Sequence, residues 1–349
     1  MMRLALLAFA LGVLALQQQP ELPRLAWGMV IAAPLALSLA AFFMARRASG
    51  LIVRGARILA LAAAVAAIAL VGFFYAAWRA ELRLADELAS AWEAHGHALL
   101  YDTGPRFNEA ADAGNRIIAP MLRAAGVTHL DGMVVSHQDS GGALSLLDTV
   151  PVEAFFSSLP PDSRIVFARA AQGEPARRCV AGQRWNWDGV AFAMLHPVEA
   201  NYTNSKLKAN DLSCVLRVSN SAGRALLTGD IEARTELDLL RRDAAALRAE
   251  LLVVPHHGSR TSSTAGFIGA VSPRIAVFTP GYRNRFGHPR PEIVERYTKS
   301  GIESHRTDYE GALTFDFNPG TRLAAVAQRD LDRRYWYDTP LRSEQPPLD

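Results

Sequence analysis

Hydrophobic and polar positions change their spacing twice along this chain of 349 residues. Leu25–Ala45 and Ile58–Trp78 are nearly continuous apolar runs of about 20 residues. At about 1.5 Å per residue, each is long enough to cross a hydrocarbon core of roughly 30 Å. Met1–Leu16 is shorter and carries Arg3 near its start. It reads as a third, marginal span or as a signal sequence, and no small-x-small cleavage site precedes Gln17. Residues 79–94 mix charges with Leu82, Leu84, Leu88 and Trp92, which predicts a helical connector.

From Ala98 onward short apolar runs, bounded by Gly or Pro, alternate with stretches of helical period. Strands are expected at Ala98–Asp102, Gly132–Ser136, Ala154–Phe156, Arg164–Ala168, Val190–Leu195, Ser213–Val218, Arg224–Thr228, Leu251–Pro255, Ile275–Thr279 and Gly311–Phe317. Helices are expected at Arg116–Ala125, Ala233–Leu247, Ala265–Val271 and Pro291–Ser300, the last opened by a proline whose fixed φ suits a helix start. This alternation predicts a layered α/β sandwich over 95–329, followed by a charged tail from Asp330 to Asp349.

Charge adds an orientation. Arg46, Arg47, Arg54 and Arg57 lie between the second and third apolar runs without an acid, whereas Arg24 is opposed by Glu21 in the preceding loop. Arginine excess favours the cytoplasmic side, so residues beyond Trp78 are expected outside the cytoplasmic membrane, with the lipid bilayer as one partner. A net charge of +3 permits a polyanionic partner without requiring one. Cys179 and Cys214 can pair in an exported domain or stay reduced in a cytosolic core, and their spacing does not decide.

The candidate chemistry sits where three apolar runs end. Val134-Val-Ser-His-Gln-Asp-Ser140, Leu226-Leu-Thr-Gly-Asp230 and Val254-Pro-His-His-Gly-Ser259 each deliver metal-binding side chains at a strand edge. His137 and Asp139, two apart on an extended backbone, share a face. Asp230 is placed to bridge ions or to cap a helix from Ile231 to Leu247. Adjacent histidines on a strand point to opposite faces, so one of His256 and His257 is expected to ligate, with His257 preferred and His256 beside it. A hydrolytic metal site needs this mixture of imidazole and carboxylate. His288 lies in a loop with Arg283 and Arg285, whose guanidinium forks match phosphate oxygens. Asp102 and Ser136 read as supporting groups, and His196 as structural.

The order of Leu100-Tyr-Asp-Thr-Gly-Pro105, Ser136-His-Gln-Asp139, Leu227-Thr-Gly-Asp230 and Pro255-His-His-Gly-Ser259 resembles the metallo-β-lactamase fold. Cys179–Gly189, Asn210–Leu216 and Gly281–Pro289 make the likeness narrower: the chain is similar to the C-terminal domain of the ComEC competence DNA-uptake family, over about residues 95–320. Gly72–Leu88 resembles that family's N-terminal region, so the chain reads as two ends of a ComEC protein joined without the channel region between them.

The resemblance implies a metallo-β-lactamase-like αββα sandwich preceded by two or three transmembrane helices. It also implies a divalent metal, zinc or manganese, at His137, Asp139, Asp230 and His257. Asp230 and His288 would be catalytic, and Arg283 and Arg285 would bind phosphate. Single-stranded DNA would be the substrate, and other competence proteins would be partners. The chain departs from the family's Ser-His-x-Asp-x-Asp-His pattern, because Ser136–Ser140 runs straight into Gly141-Gly142 without the second Asp-His pair. Two functions therefore stand side by side: hydrolysis of incoming DNA, and an inactive remnant that at most binds DNA outside the membrane. A β-lactamase or thioester hydrolase on the same fold is disfavoured, because the matching motifs are of the competence type.

Overall fold

The computed structural model describes residues 61–75, 90–94, 96–108, 111–138, 141–281, 284 and 286–331. The chain divides into two units, Met1–Ala85 and Asp86–Asp349. In the first, residues 61–75 are helical. Among the described residues no helix is long and apolar enough to cross a membrane. The expected spans at Met1–Leu16 and Leu25–Ala45 lie outside the described residues, as do both ends of Ile58–Trp78.

The second unit holds two facing sheets. In the first, β1 (Ser90–Ala94) pairs antiparallel with β2 (His97–Tyr101). The strands β3 (Leu130–Val135), β4 (Val152–Ser157) and β5 (Arg177–Arg178) then follow in parallel. The second sheet is built from β6 (Arg184–Trp187), β7 (Val190–His196), β8 (Val215–Ser219), β9 (Arg224–Leu227), β10 (Leu251–Val253), β11 (Ile275–Phe278) and β12 (Glu303–Arg306). Its strands lie side by side in order of number, antiparallel from β6 to β9 and parallel from β9 to β12. A hairpin of β13 (Leu313–Phe315) and β14 (Ala325–Ala327) follows.

Side-chain alternation along the strands builds three apolar layers. Leu99, Tyr101, Val134 and Phe156 of the first sheet meet Phe192, Met194, Leu216, Val218 and Leu227 of the second. On the opposite face of the first sheet, Leu100, Met133, Val135 and Phe155 pack under α1 (Ala119–Ala124), α2 (Ala143–Thr149) and α3 (Arg164–Ala171). Behind the second sheet, Val215, Leu226, Leu252, Ala276 and Phe278 pack under α4 (Ala233–Asp243), α5 (Ala265–Val271) and α6 (Pro291–Lys299). The layer order is αββα.

Several expected elements change. Arg164–Ala168 is the start of α3 rather than a strand; Ser163 caps it by accepting a hydrogen bond from the Ile165 amide at 3.3 Å. Its Ile-Val-Phe run is β-prone, but Phe167 faces solvent and only one stripe packs inward. Ser90–Ala94 is a strand, not the end of a helical connector. The strands β6, β12 and β14 and the helix α2 had no counterpart in the sequence reading. The helix expected at Ala233–Leu247 does start at Ala233 and ends in a 3-10 turn over Ala244–Leu247, with Glu232 rather than Asp230 at its N-cap position.

Cys179 and Cys214 form a disulfide with a Cα–Cα distance of 5.8 Å, fully buried between the sheets. Cys179 follows β5 of one sheet, and Cys214 precedes β8 of the other. The bond closes a loop with a sequence separation of 35, for which chain entropy gives about 3–4 kcal/mol. Replacing both cysteines by alanine should lower the denaturant midpoint by that amount of stability, and an unchanged midpoint would contradict it.

His196, 2% exposed, lies with Nε2 at 2.8 Å from the Asp211 carbonyl oxygen and Nδ1 at 3.3 Å from Arg242 Nη2. Nε2–H donates and Nδ1 accepts, so the ring is held neutral. Burial pushes its pKa down to about 4, although the Asp211 carbonyl opposes the shift. Below pH 6.5 the unfolded chain takes up a proton that the folded chain refuses until about pH 4. Stability should therefore fall by up to about 3 kcal/mol across that window. Unfolding of the wild type and of His196→Asn at stepped pH checks this, with the variant expected to show a shallower slope.

Candidate metal centre

Asp230 follows β9 and is 6% exposed. Three imidazoles face its carboxylate. His137 Nε2 lies 3.4 Å from Oδ2, His256 Nε2 lies 3.7 Å from Oδ2, and His257 Nε2 lies 3.4 Å from Oδ1. Each ring is held from behind by a hydroxyl on Nδ1: Ser136 Oγ at 2.8 Å for His137, Thr261 Oγ1 at 3.3 Å for His256 and Thr279 Oγ1 at 3.1 Å for His257. The hydroxyls occupy Nδ1, so all three Nε2 atoms face the Asp230 carboxylate.

The backbone explains why both histidines of the pair arrive. His256 and His257 have φ of 50° and 53°, in the left-handed region. They form a tight turn after β10 rather than an extended strand, which corrects the expectation that their rings diverge. Such φ values cost of order 1 kcal/mol or more for residues other than glycine. The turn is anchored by the His256 amide donating to the Gly229 carbonyl at 3.0 Å. Farther along, the buried Glu236 carboxylate accepts from the Thr264 amide at 2.8 Å and fixes the loop before α5.

Asp102, also at positive φ, accepts from the Ser136 amide at 2.7 Å and from Ser136 Oγ at 2.6 Å. A chain of contacts thus runs from Asp102 through Ser136 to His137. Gly229, at φ +53°, leaves room for it, since a Cβ there would lie 2.7 Å from Ser136 Oγ. The Asp230 amide donates to Ser213 Oγ at 3.2 Å, and the Cys214 amide donates to the Ser136 carbonyl at 3.0 Å. The segment beside the disulfide therefore holds both sides of the centre.

Burial alone would raise the Asp230 carboxyl. The facing imidazoles, His137 first and then His257 and His256, outweigh burial and hold it well below the usual carboxylate range. His288, with its ring 5.7 Å from that of His256, has a buried Nδ1 without a hydrogen-bond partner among the described residues. Burial, then the neighbouring His256, His257 and Arg290, pushes its pKa down. Glu232, whose Oε1 lies 3.6 Å from His256 Nδ1, was not singled out in the sequence. Its place two residues after Asp230 was the signal available. Asp139, Arg283 and Arg285 lie outside the described residues.

The donor types, imidazole and carboxylate, are those of a divalent-metal site. The N···O separations of 3.4–3.7 Å exceed a normal hydrogen bond. No three ligand atoms of this set lie within 4.8 Å of one another among the described residues, so the imidazoles surround the carboxylate without yet closing on one ion position. The set is more open on one side, where the His257 side chain is 42% exposed.

No protein-family model matches the chain. It is 38% identical over 245 residues to the competence protein ComA of Neisseria gonorrhoeae, a match covering 69% of this chain and 32% of that protein. The chain is a relative of the ComEC-type competence proteins. It is also 32% identical to the uncharacterized protein YcaI of Escherichia coli, over 74% of this chain and 33% of that one. The chain thus spans about a third of the length of the curated relatives it matches. Among solved structures, a metallo-β-lactamase from Cronobacter sakazakii superposes with a TM-score of 0.34 at 14% identity, over 53% of this chain and 78% of its own. The αββα order expected from the ComEC resemblance is the order observed.

Ser136 gives a direct test of the support. Ser136→Ala removes the hydroxyl that links Asp102 to His137 and should weaken zinc affinity about 10- to 100-fold. Calorimetric titration with zinc checks this, and an unchanged affinity would show that His137 needs no such support.

Proposed function

We propose that this chain acts in DNA uptake as a metal-dependent phosphodiester hydrolase, membrane-anchored with its centre outside the cytoplasmic membrane. The observation that carries the reading is the convergence of three hydroxyl-held Nε2 atoms on the buried Asp230 carboxylate. His137, Asp230, His256 and His257 would hold the ion, zinc being the best match and manganese the alternative. When bound, such an ion lowers the pKa of a coordinated water toward 7 and offsets charge on a phosphate oxygen.

The chain's own residues supply the rest. Asp230, kept ionised by its neighbours, neutralises the site and fixes the three rings around it. His288 is assigned proton transfer at the leaving oxygen; its Nδ1, without a hydrogen-bond partner among the described residues, is open to take up and pass on a proton. Arg283 and Arg285 are assigned to the phosphate on their position in the same loop. The competence relatives support DNA as substrate. Backbone contacts of this kind make binding salt-dependent and indifferent to sequence.

The missing Asp-His pair after Ser140 favours a second reading, a DNA-binding remnant without turnover. Cleavage of single-stranded DNA by the full chain with zinc or manganese separates the two. The hydrolase reading expects metal-dependent cleavage that falls about 100-fold or more in Asp230→Asn. Salt-sensitive DNA retention without cleavage would overturn it in favour of the remnant.

A further inference from the structure

In the first sheet, Asp102 and His137 of the candidate centre follow the C-terminal ends of the parallel strands β2 and β3, and a second group of ligand-type side chains gathers where β3 and β4 begin. One ligand atom from each of His129, Asp131 and Glu153 lies within 4.8 Å of the other two. His129 Nε2 is 3.8 Å from Asp131 Oδ1, and His97 Nε2 approaches the same oxygen at 3.9 Å. At about 3.3 Å per residue, Asp131 and His137 are roughly 20 Å apart along the strand direction, so the two groups cannot share an ion.

Two details distinguish this group from an ordinary charged surface. The Asp131 carboxylate is fixed, because its Oδ2 accepts from the Ala98 amide at 2.7 Å and leaves Oδ1 to the histidines. His97 closes one side of the group without joining it: its Nδ1 is 2.8 Å from Asp188 Oδ2, its ring lies parallel to Trp187 at 5.4 Å, and its Nε2 faces Asp131. His129 and Glu153 are exposed, and the three ligand atoms, within 4.8 Å of one another, would draw in to a tetrahedral edge of about 3.4 Å on binding an ion.

We propose that His129, Asp131 and Glu153 bind a second divalent cation, of the zinc class, beside His97. Imidazole beside carboxylate selects zinc-like ions over calcium and magnesium, which take oxygen ligands. The role is structural. His129 precedes β3, Asp131 lies in it and Glu153 lies in β4, so the ion pins the segment entering β3 to the neighbouring strand.

The test uses the full chain, stripped of metal and titrated with zinc alone, with bound equivalents and thermal unfolding as readouts. In a background carrying Asp230→Asn and His257→Ala, about one equivalent of zinc should still bind and raise the unfolding temperature. Adding His129→Asn and Glu153→Gln should remove that equivalent and its thermal shift. Both added positions are exposed, so the metal-free protein should unfold as before. Asp188→Asn, which touches His97 and no member of the group, should leave the equivalent and its affinity unchanged. Equal stoichiometry with and without His129→Asn and Glu153→Gln would overturn the proposal, as would zinc binding that disappears entirely in the Asp230→Asn, His257→Ala background.

Discussion

A carboxylate that keeps 6% of its surface cannot remain ionised in a protein interior unless positive charge or hydrogen-bond donors surround it. Asp230 meets that condition through three imidazoles, and much of the surrounding architecture serves to keep them in place. The hydroxyls of Ser136, Thr261 and Thr279 fix the rings. Asp102 fixes Ser136, the bond between Ser213 and the Asp230 amide fixes the carboxylate, and the disulfide next to Ser213 joins the two sheets that contribute these groups. Removing one imidazole leaves the others facing a less compensated charge, so the members are expected to act together rather than additively.

Much of this was legible in the chain. Strands that bury both faces read as apolar runs, and β3, β9, β10 and β11 were placed within a residue or two because their ends coincide with Gly, Pro or ligand-type residues. The elements that escaped lacked those signals. The helix α2 follows Gly141-Gly142 and has no side-chain cap at its start, so the pair reads as a turn alone. The strand β6 is Arg-Trp-Asn-Trp, half polar, and shows itself only by pairing with β7. In α3 the β-branched run outweighed the cap at Ser163.

The ligand-type residues at strand ends were visible for the same reason the strands were, but their mutual arrangement was not. A period of two assigns His256 and His257 to opposite faces, and that rule fails because the chain leaves the extended region after Val254. Long-range pairings such as Ser136 with Asp102 depend on the register between β2 and β3, which no local pattern encodes. The pairing of Cys179 with Cys214 is of the same kind: it needed the two sheets to be stacked before the sulfurs could be placed near each other.

The left-handed pair His256–His257 carries one more implication. At positive φ, glycine or asparagine would relieve the local strain while preserving the turn, so unconstrained substitution has an easy downhill path at both positions. Neither replacement offers an imidazole. Two consecutive rings held in that conformation carry a conformational cost that the turn itself does not require.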